Sequence, residues 1–217
     1  MQVLLCAATT FEIQPTIDFI NQQGLHNEVG IKITGVGLVA ATHAITSSIL
    51  RHAPALVLQG GIAGSFDHSM PLGTAVAVHS ETLGGLGVQE GERFHTVFDL
   101  KLAQPDEVPW TAGSLVNPHE GLLQGFGLPI VNGVSVQEIS TNGARIEHLR
   151  TSGTVQIETM EGAALHYAAL LEDVPFVQIR TISNYVGERD KGAWVLQDAI
   201  KELNVQLQNI LIKILNR

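Results

Sequence analysis

Residues 29–64 read VGIKITGVGLVAATHAITSSILRHAPALVLQGGIAG, and the order of patterns in this stretch decides the fold. Residues 29–34 alternate as a strand does and run into Gly35-Val36-Gly37. Leu38, Ala41, Ile45 and Ile49 then fall at helical spacing over 38–52, and Pro54 prevents continuation because it removes a backbone donor and clashes with the preceding turn. Residues 55–58 form a short apolar strand ending at Gln59-Gly60-Gly61-Ile62-Ala63-Gly64. Strand, helix, strand in that order implies parallel pairing with helices laid on the sheet. Gly35-Val36-Gly37 lacks the third glycine of a dinucleotide fingerprint, so this unit is a poor cofactor site of that type.

Reading outward, 1–8 (MQVLLCAA) is an apolar strand, and 12–23 is a helix with Ile13, Ile17 and Ile20 on one face and Gly24 at its end. Further strands are predicted at 74–81, 130–136, 155–158 and 174–183. Helices are predicted at 162–171 and 194–216, the last carrying Val195, Ile200, Leu203, Leu207, Leu211 and Ile214 close to one face. Residues 82–106, rich in glycine and charge, read as a mobile excursion. There is no internal repeat or linker, so 1–217 is expected to be one domain.

The formal net charge of −9 argues against nucleic acid or an anionic membrane as partner, since both repel an acidic protein. The lone cysteine, Cys6, excludes an intramolecular disulfide and a multi-thiolate metal site. The nine histidines form no helical His-x-x-x-His pair, so no metal is expected. Ser65 after Gly64 lacks the Gly-x-Ser-x-Gly elbow of a serine hydrolase. With neither a leader pattern nor an apolar run of about 20 residues, a cytoplasmic location is expected.

In open α/β sheets ligands gather beyond the carboxyl ends of the strands. That directs attention to Thr9-Thr10-Phe11-Glu12, Gly35-Val36-Gly37, Gly60 to Gly64, Met160-Glu161-Gly162 and Ser183-Asn184. Glu161 stands at a strand-to-helix junction before three small residues. Its carboxylate can accept two adjacent hydroxyls, as on a ribose, or simply complement a helix N-terminus. Glu12 follows the first strand near the start of a helix, where a carboxylate is again stabilised by the dipole, and alone it means little. Arg180 interrupts an apolar strand and needs a buried partner, for which Glu161 would serve. Asn184 ends that strand, either as an Asx turn or as a donor into the site.

Taken together, these segments resemble the nucleoside phosphorylase and nucleosidase superfamily. The likeness rests on the strand–Glu12 opening, Thr34-Gly35-Val36-Gly37, Gly61-Ile62-Ala63-Gly64, Met160-Glu161-Gly162-Ala163 and Arg180-Thr181-Ile182-Ser183-Asn184. It implies a three-layer α/β/α fold around a central mixed, mostly parallel sheet, a homo-oligomer (dimer or higher), no cofactor, and a small purine nucleoside as ligand. By the same resemblance, Glu161 would hold the ribose hydroxyls and Met160 would pack on the sugar. Glu12 would activate the attacking water and Asn184 would hydrogen-bond the purine. Ala63 and Gly64 would present backbone to the base, and Arg180 would orient Glu161. Arg189 and Trp194 are candidates for the far end of the substrate.

Phosphorylases of the superfamily place arginines near the first strand's loop and before the second glycine-rich loop. No arginine precedes Arg51 here, which favours water as nucleophile, although Arg51 could serve a neighbouring subunit's phosphate site. Adenine-releasing relatives carry Asp where this chain has Asn184. A carboxamide NH₂ donates, which suits N7 and a carbonyl O6, so hypoxanthine or another 6-oxopurine is the expected leaving group. An adenine-releasing nucleosidase, a phosphorylase and a non-catalytic nucleoside-binding protein remain the alternatives.

Overall fold

A computed structural model describes residues 2–91, 93–151 and 154–216. The chain runs β1 (Val3–Ala7), α1 (Thr10–Gln22), β2 (Val29–Ile33), α2 (Leu38–His52), β3 (Leu56–Ser65) and β4 (Ala75–Leu83). It continues through β5 (Gly87–Glu90), β6 (Arg93–Thr96), β7 (Leu115–Val116), α3 (Glu120–Gln124), β8 (Ile130–Ser135) and α4 (Gly143–Thr151). The last elements are β9 (Ile157–Thr159), α5 (Gly162–Leu171), β10 (Phe176–Tyr185) and α6 (Leu196–Ile214). Met1, placed by the sequence pattern in the first strand, lies outside the described residues, as does Glu92 within the 82–106 excursion.

The sheet is mixed. β1 pairs in parallel with β2 and β3, β3 with β10, and β8 with both β4 and β9. β10 pairs antiparallel with β4, and β9 antiparallel with the end of β3. One edge of β3 is therefore shared: Leu56–Gln59 face β1, whereas Gly64 and Ser65 face β9. Strands β3, β10, β4, β8 and β9 close on themselves at that end.

Alternation on β1 sorts the core, because successive side chains point to opposite faces. Val3, Leu5 and Ala7 join Ile13 and Ile20 of α1 and Leu203, Leu207 and Leu211 of α6. Leu4 and Cys6 join Ala41, Ile45 and Ile49 of α2 and Ala164, Leu165 and Ala168 of α5. Each large aliphatic buried this way contributes about 1.5–3 kcal/mol relative to exposure. Burial also pushes the Cys6 thiol up to about 12, in line with an inert core residue.

Several boundaries differ from the sequence expectation. The strand predicted at 55–58 runs on through the glycines to Ser65. A Cβ at Gly60 would come 2.7 Å from Leu207, so α6 sits directly on this backbone. Asn184, expected just past its strand, lies within β10 and pairs with Gly64. Residues 82–106 contain the β5–β6 hairpin. The last helix begins at Leu196, so Trp194 precedes it. The short elements β7, α3 and α4 were not expected; α4 has too little apolar content to announce itself in sequence.

Candidate functional site

Register brings the polar residues together. Arg180 of β10 lies opposite Gly61 of β3, Ile182 opposite Ala63, and Asn184 opposite Gly64. A Cβ on Gly61 would overlap Arg180 Nη1 and approach Glu12 Oε1 to 3.2 Å. The missing side chain at Gly61 is what lets the guanidinium and the Glu12 carboxylate occupy one spot above the strand.

Glu12 lies in the first turn of α1 and is 8% exposed. The backbone N–H and hydroxyl of Thr9 both donate to its Oε2, at 3.0 and 2.9 Å. The N–H of Ile62 donates to Oε1 at 3.3 Å. The carboxylate thus satisfies donors at the helix start, while its Oε1 lies beside the spot above Gly61 that Arg180 occupies.

Glu161 is the N-cap of α5 and is 6% exposed. The N–H of Gly37 donates to its Oε1 at 2.9 Å. Gly37 has φ +89°, a conformation glycine adopts freely, and this aims the N-terminus of α2 at the carboxylate. Burial pushes the Glu161 carboxyl upward. Arg180 and the Gly37 N–H pull it down, and the charge of Glu12 pushes it up again. The two acids therefore sense each other across the same small space.

Arg180 is 1% exposed. Its Nη1 lies 4.0 Å from Glu161 Oε2, while its Nη2 donates to Gln59 Oε1 at 3.0 Å. Gln59 Nε2 in turn donates to the backbone carbonyl of Glu161 at 3.4 Å. The expected Glu161–Arg180 pairing is present, but Gln59 is the nearer partner and ties the two together. Sequence reading passed over Gln59; its signal is an amide placed just before two glycines in an apolar strand.

Asn184 is partly exposed at the rim. Its Nδ2 donates to the Tyr185 carbonyl at 3.0 Å, and its Oδ1 accepts from Ser183 Oγ at 2.8 Å. Two acceptors cannot face each other, so the Tyr185 carbonyl fixes which end of the amide is NH₂. The Cβ position of Gly64 lies 3.3 Å from that nitrogen, leaving a flat strip of backbone, with Ala63, beside the amide. Met160, partly exposed, directly precedes Glu161. Arg51 is exposed in the last turn of α2. Arg189 stacks over Trp194, 5.8 Å from guanidinium carbon to ring centroid.

A cleft of about 530 Å³ lies elsewhere, between the β5–β6 hairpin and residues 105–114. Phe94, Phe98, Trp110 and His148 line it, and none of the residues named above does. Among the described helices, none is long and apolar enough to cross a membrane.

With fold and geometry in view, comparison with known proteins gives the class. Residues 19–216 match the Phosphorylase superfamily, and the chain belongs to it. More particularly, it is similar to futalosine hydrolase of Thermus thermophilus, 28% identical over 191 residues that cover 82% of this chain and 79% of that protein. It is also similar to 5'-methylthioadenosine/S-adenosylhomocysteine nucleosidase of Maridesulfovibrio salexigens, 26% identical over 182 residues, 76% of this chain and 72% of that one. Among solved structures, a mutant nucleosidase of Helicobacter pylori with 5'-methylthioadenosine in its active site superposes with a TM-score of 0.82. It covers 98% of both chains at 17% identity, and so shares the fold.

Proposed function

We propose that this chain hydrolyses the N-glycosidic bond of a purine nucleoside, and that the nucleoside is futalosine, cleaved to hypoxanthine and dehypoxanthine futalosine on the alternative route to menaquinone. The hydrolytic part is supported by the named activities of its relatives. The choice of substrate rests on Asn184. Its NH₂ end is fixed by the Tyr185 carbonyl, leaving a second N–H to donate, and both N7 and O6 of a 6-oxopurine accept. The run 183–191 followed by Trp194 also resembles futalosine hydrolase.

Breaking the bond builds positive charge on the sugar and negative charge on the base. Glu161 Oε2, the oxygen not held by Gly37, accepts from the ribose hydroxyls, and Arg180 with Gln59 keeps the carboxylate in place. Met160 packs on the sugar, while Ala63 and Gly64 offer backbone to the base. Glu12 is held at Oε2 by Thr9, and Oε1 takes a proton from the attacking water. Asn184 donates to the departing base. Each such proton-handling group is worth about 10²–10⁴-fold.

The protein is expected to act in the cytoplasm, without cofactor or metal, as a homo-oligomer. Phe11, Val36, Val39 and Leu50, of α1, α2 and the turn before α2, are 57%, 59%, 79% and 66% exposed, apolar side chains that an assembly would cover. Light scattering tests the assembly. The similarity to methylthioadenosine nucleosidases supports a second reading, with adenine as the leaving group. Chromatography of products from futalosine, inosine and methylthioadenosine, with and without phosphate, separates the readings. Hypoxanthine with free sugar is expected. Faster adenine release overturns the substrate, and a sugar phosphate overturns hydrolysis.

A further inference from the structure

Below Glu161 lies a buried acid that the chemistry above does not use. Glu81 of β4 is 0% exposed. Gly133 and Gly162 close over it: a Cβ at Gly162 would overlap Glu81 Oε1, and one at Gly133 would come within 2.6 Å. Ser135 Oγ is 3.0 Å from Oε2, Thr159 Oγ1 is 3.3 Å from Oε1, and the Gln178 amide is 2.9 Å from Oε1. The same two hydroxyls accept the N–H groups of Ala163 and Gly162, at 2.8 and 3.2 Å. Those are the first residues of α5, whose N-cap is Glu161. The hydroxyls are 2.9 Å from each other.

Two orphaned buried acceptors point to the state of the acid. If Glu81 were ionised and took both hydroxyl protons, the 2.9 Å contact between Ser135 and Thr159 would hold none. With the Gln178 nitrogen on Glu81, moreover, Gln178 Oε1 and His166 Nε2 are both buried without a partner. His166 Nδ1 faces the Leu115 carbonyl at 2.9 Å, so the proton of the neutral ring sits there and Nε2 is an acceptor. Turning the Gln178 amide over, an exchange of isosteric ends, points its NH₂ at His166, which lies within its reach. Its oxygen then meets Glu81 Oε1, and that contact requires a proton on the acid. Thr159 is now free to donate to Ser135, and Ser135 to Glu81 Oε2. Every contact but the longest, the 3.3 Å one between Thr159 and Glu81, then carries one proton.

We propose that Glu81 is a positioning residue: a neutral carboxylic acid that donates to Gln178 and, through Ser135 and Thr159, fixes the first turn of α5 and with it the Glu161 carboxylate. This rests on the sugar-holding role of Glu161 given above. Burial pushes Glu81 up to about 7, against the pull of Arg180 from β10, and pushes the neighbouring His166 of α5 down to about 4. Neutrality at Glu81 leaves the Arg180 charge to Glu161 and Glu12.

Glu81→Gln keeps the shape and a donor toward Gln178, and is expected to retain kcat/KM within about threefold, the scale of one adjusted hydrogen bond. Glu81→Ala, with a native circular dichroism spectrum, is expected to lose roughly 10²-fold, mainly through KM, because the sugar-holding carboxylate is misplaced. If that variant does not fold, Ser135→Ala breaks the same link and is expected to lose about tenfold, again in KM, as one lost hydrogen bond allows. Equal activity in wild type and the Ala variants overturns the proposal, as does a Gln variant as poor as Ala. Infrared spectra near pH 6 read the proton directly: a protonated-carboxyl band is expected in wild type and absent in Glu81→Gln. An identical spectrum in the two overturns it. Wild-type protein that cleaves no nucleoside sinks the enzymatic reading instead, and the infrared result still decides the state of Glu81.

Discussion

The polar centre around Arg180 and the hairpin excursion around Phe94 are built on opposite plans. The first draws Glu12, Gln59, Glu161 and Arg180 from distant parts of the chain into a nearly closed space, each 8% exposed or less. The second is mostly local in sequence, aromatic and open, and contains the cleft of about 530 Å³. Buried charges that hold one another in place cost desolvation energy, and such a cost is tolerated where chemistry uses it.

The largest effect should come from Glu12→Gln, which keeps the shape but removes the proposed base. Turnover is expected to fall about 10²–10⁴-fold while nucleoside binding, followed by calorimetry, is kept. A binding protein without chemistry would show no change in either.

Next comes Arg180→Met, which leaves Glu161 buried beside Glu12 without its counter-charge. Removing one member of a buried pair typically costs about 3–5 kcal/mol, read as a lowered urea midpoint. A stability within error of wild type would mean that Gln59 and the Gly37 N–H suffice to hold Glu161. The contrast between the two regions would then be one of degree.

Why the polar centre was partly legible and the excursion hardly at all follows from what sets each. Glu12, Glu161, Arg180 and Asn184 stand out because charged or amide residues interrupt apolar runs at strand ends, and an interruption in a buried pattern needs a reason. The glycines 60–64 misled, since Gly-Gly suggests a loop by propensity. They form a strand because Leu207, Arg180 and Asn184 press on that backbone and leave no room for side chains. That is tertiary packing, invisible locally. Glu81 was missed because His79-Ser80-Glu81 resembles the polar end of an ordinary strand. Only the fold puts Ser135, Thr159 and Gln178 around it.

The pH dependence of stability offers a subtler probe of the same centre. Folded Glu81 keeps its proton up to about pH 7, against an ordinary 4.5 when unfolded. The folded chain therefore binds the extra proton between these values, and stability falls as pH rises through that window. His166 works in the other sense: it protonates at about 4 when folded and 6.5 when unfolded, so stability falls as pH drops from 6.5 to 4. In wild type the two slopes oppose each other over their shared range. Glu81→Gln removes the first, so its urea midpoint should rise more steeply with pH between about 4 and 6.5 than that of wild type. Parallel curves would place the proton elsewhere.

The smallest effect is expected at the open end of the comparison. Phe94→Ala removes part of the cleft wall and its ring contact with His148, 5.6 Å between centroids. It touches none of the groups that hold Glu12, Glu161 or Asn184, so kcat and KM for inosine should stay within about twofold, the ordinary scatter of a surface change. Inosine is the right probe because it lacks any extended substituent that could reach the hairpin. A loss beyond tenfold on inosine would show that the hairpin shapes the sugar site itself, and the separation of the two regions would fail.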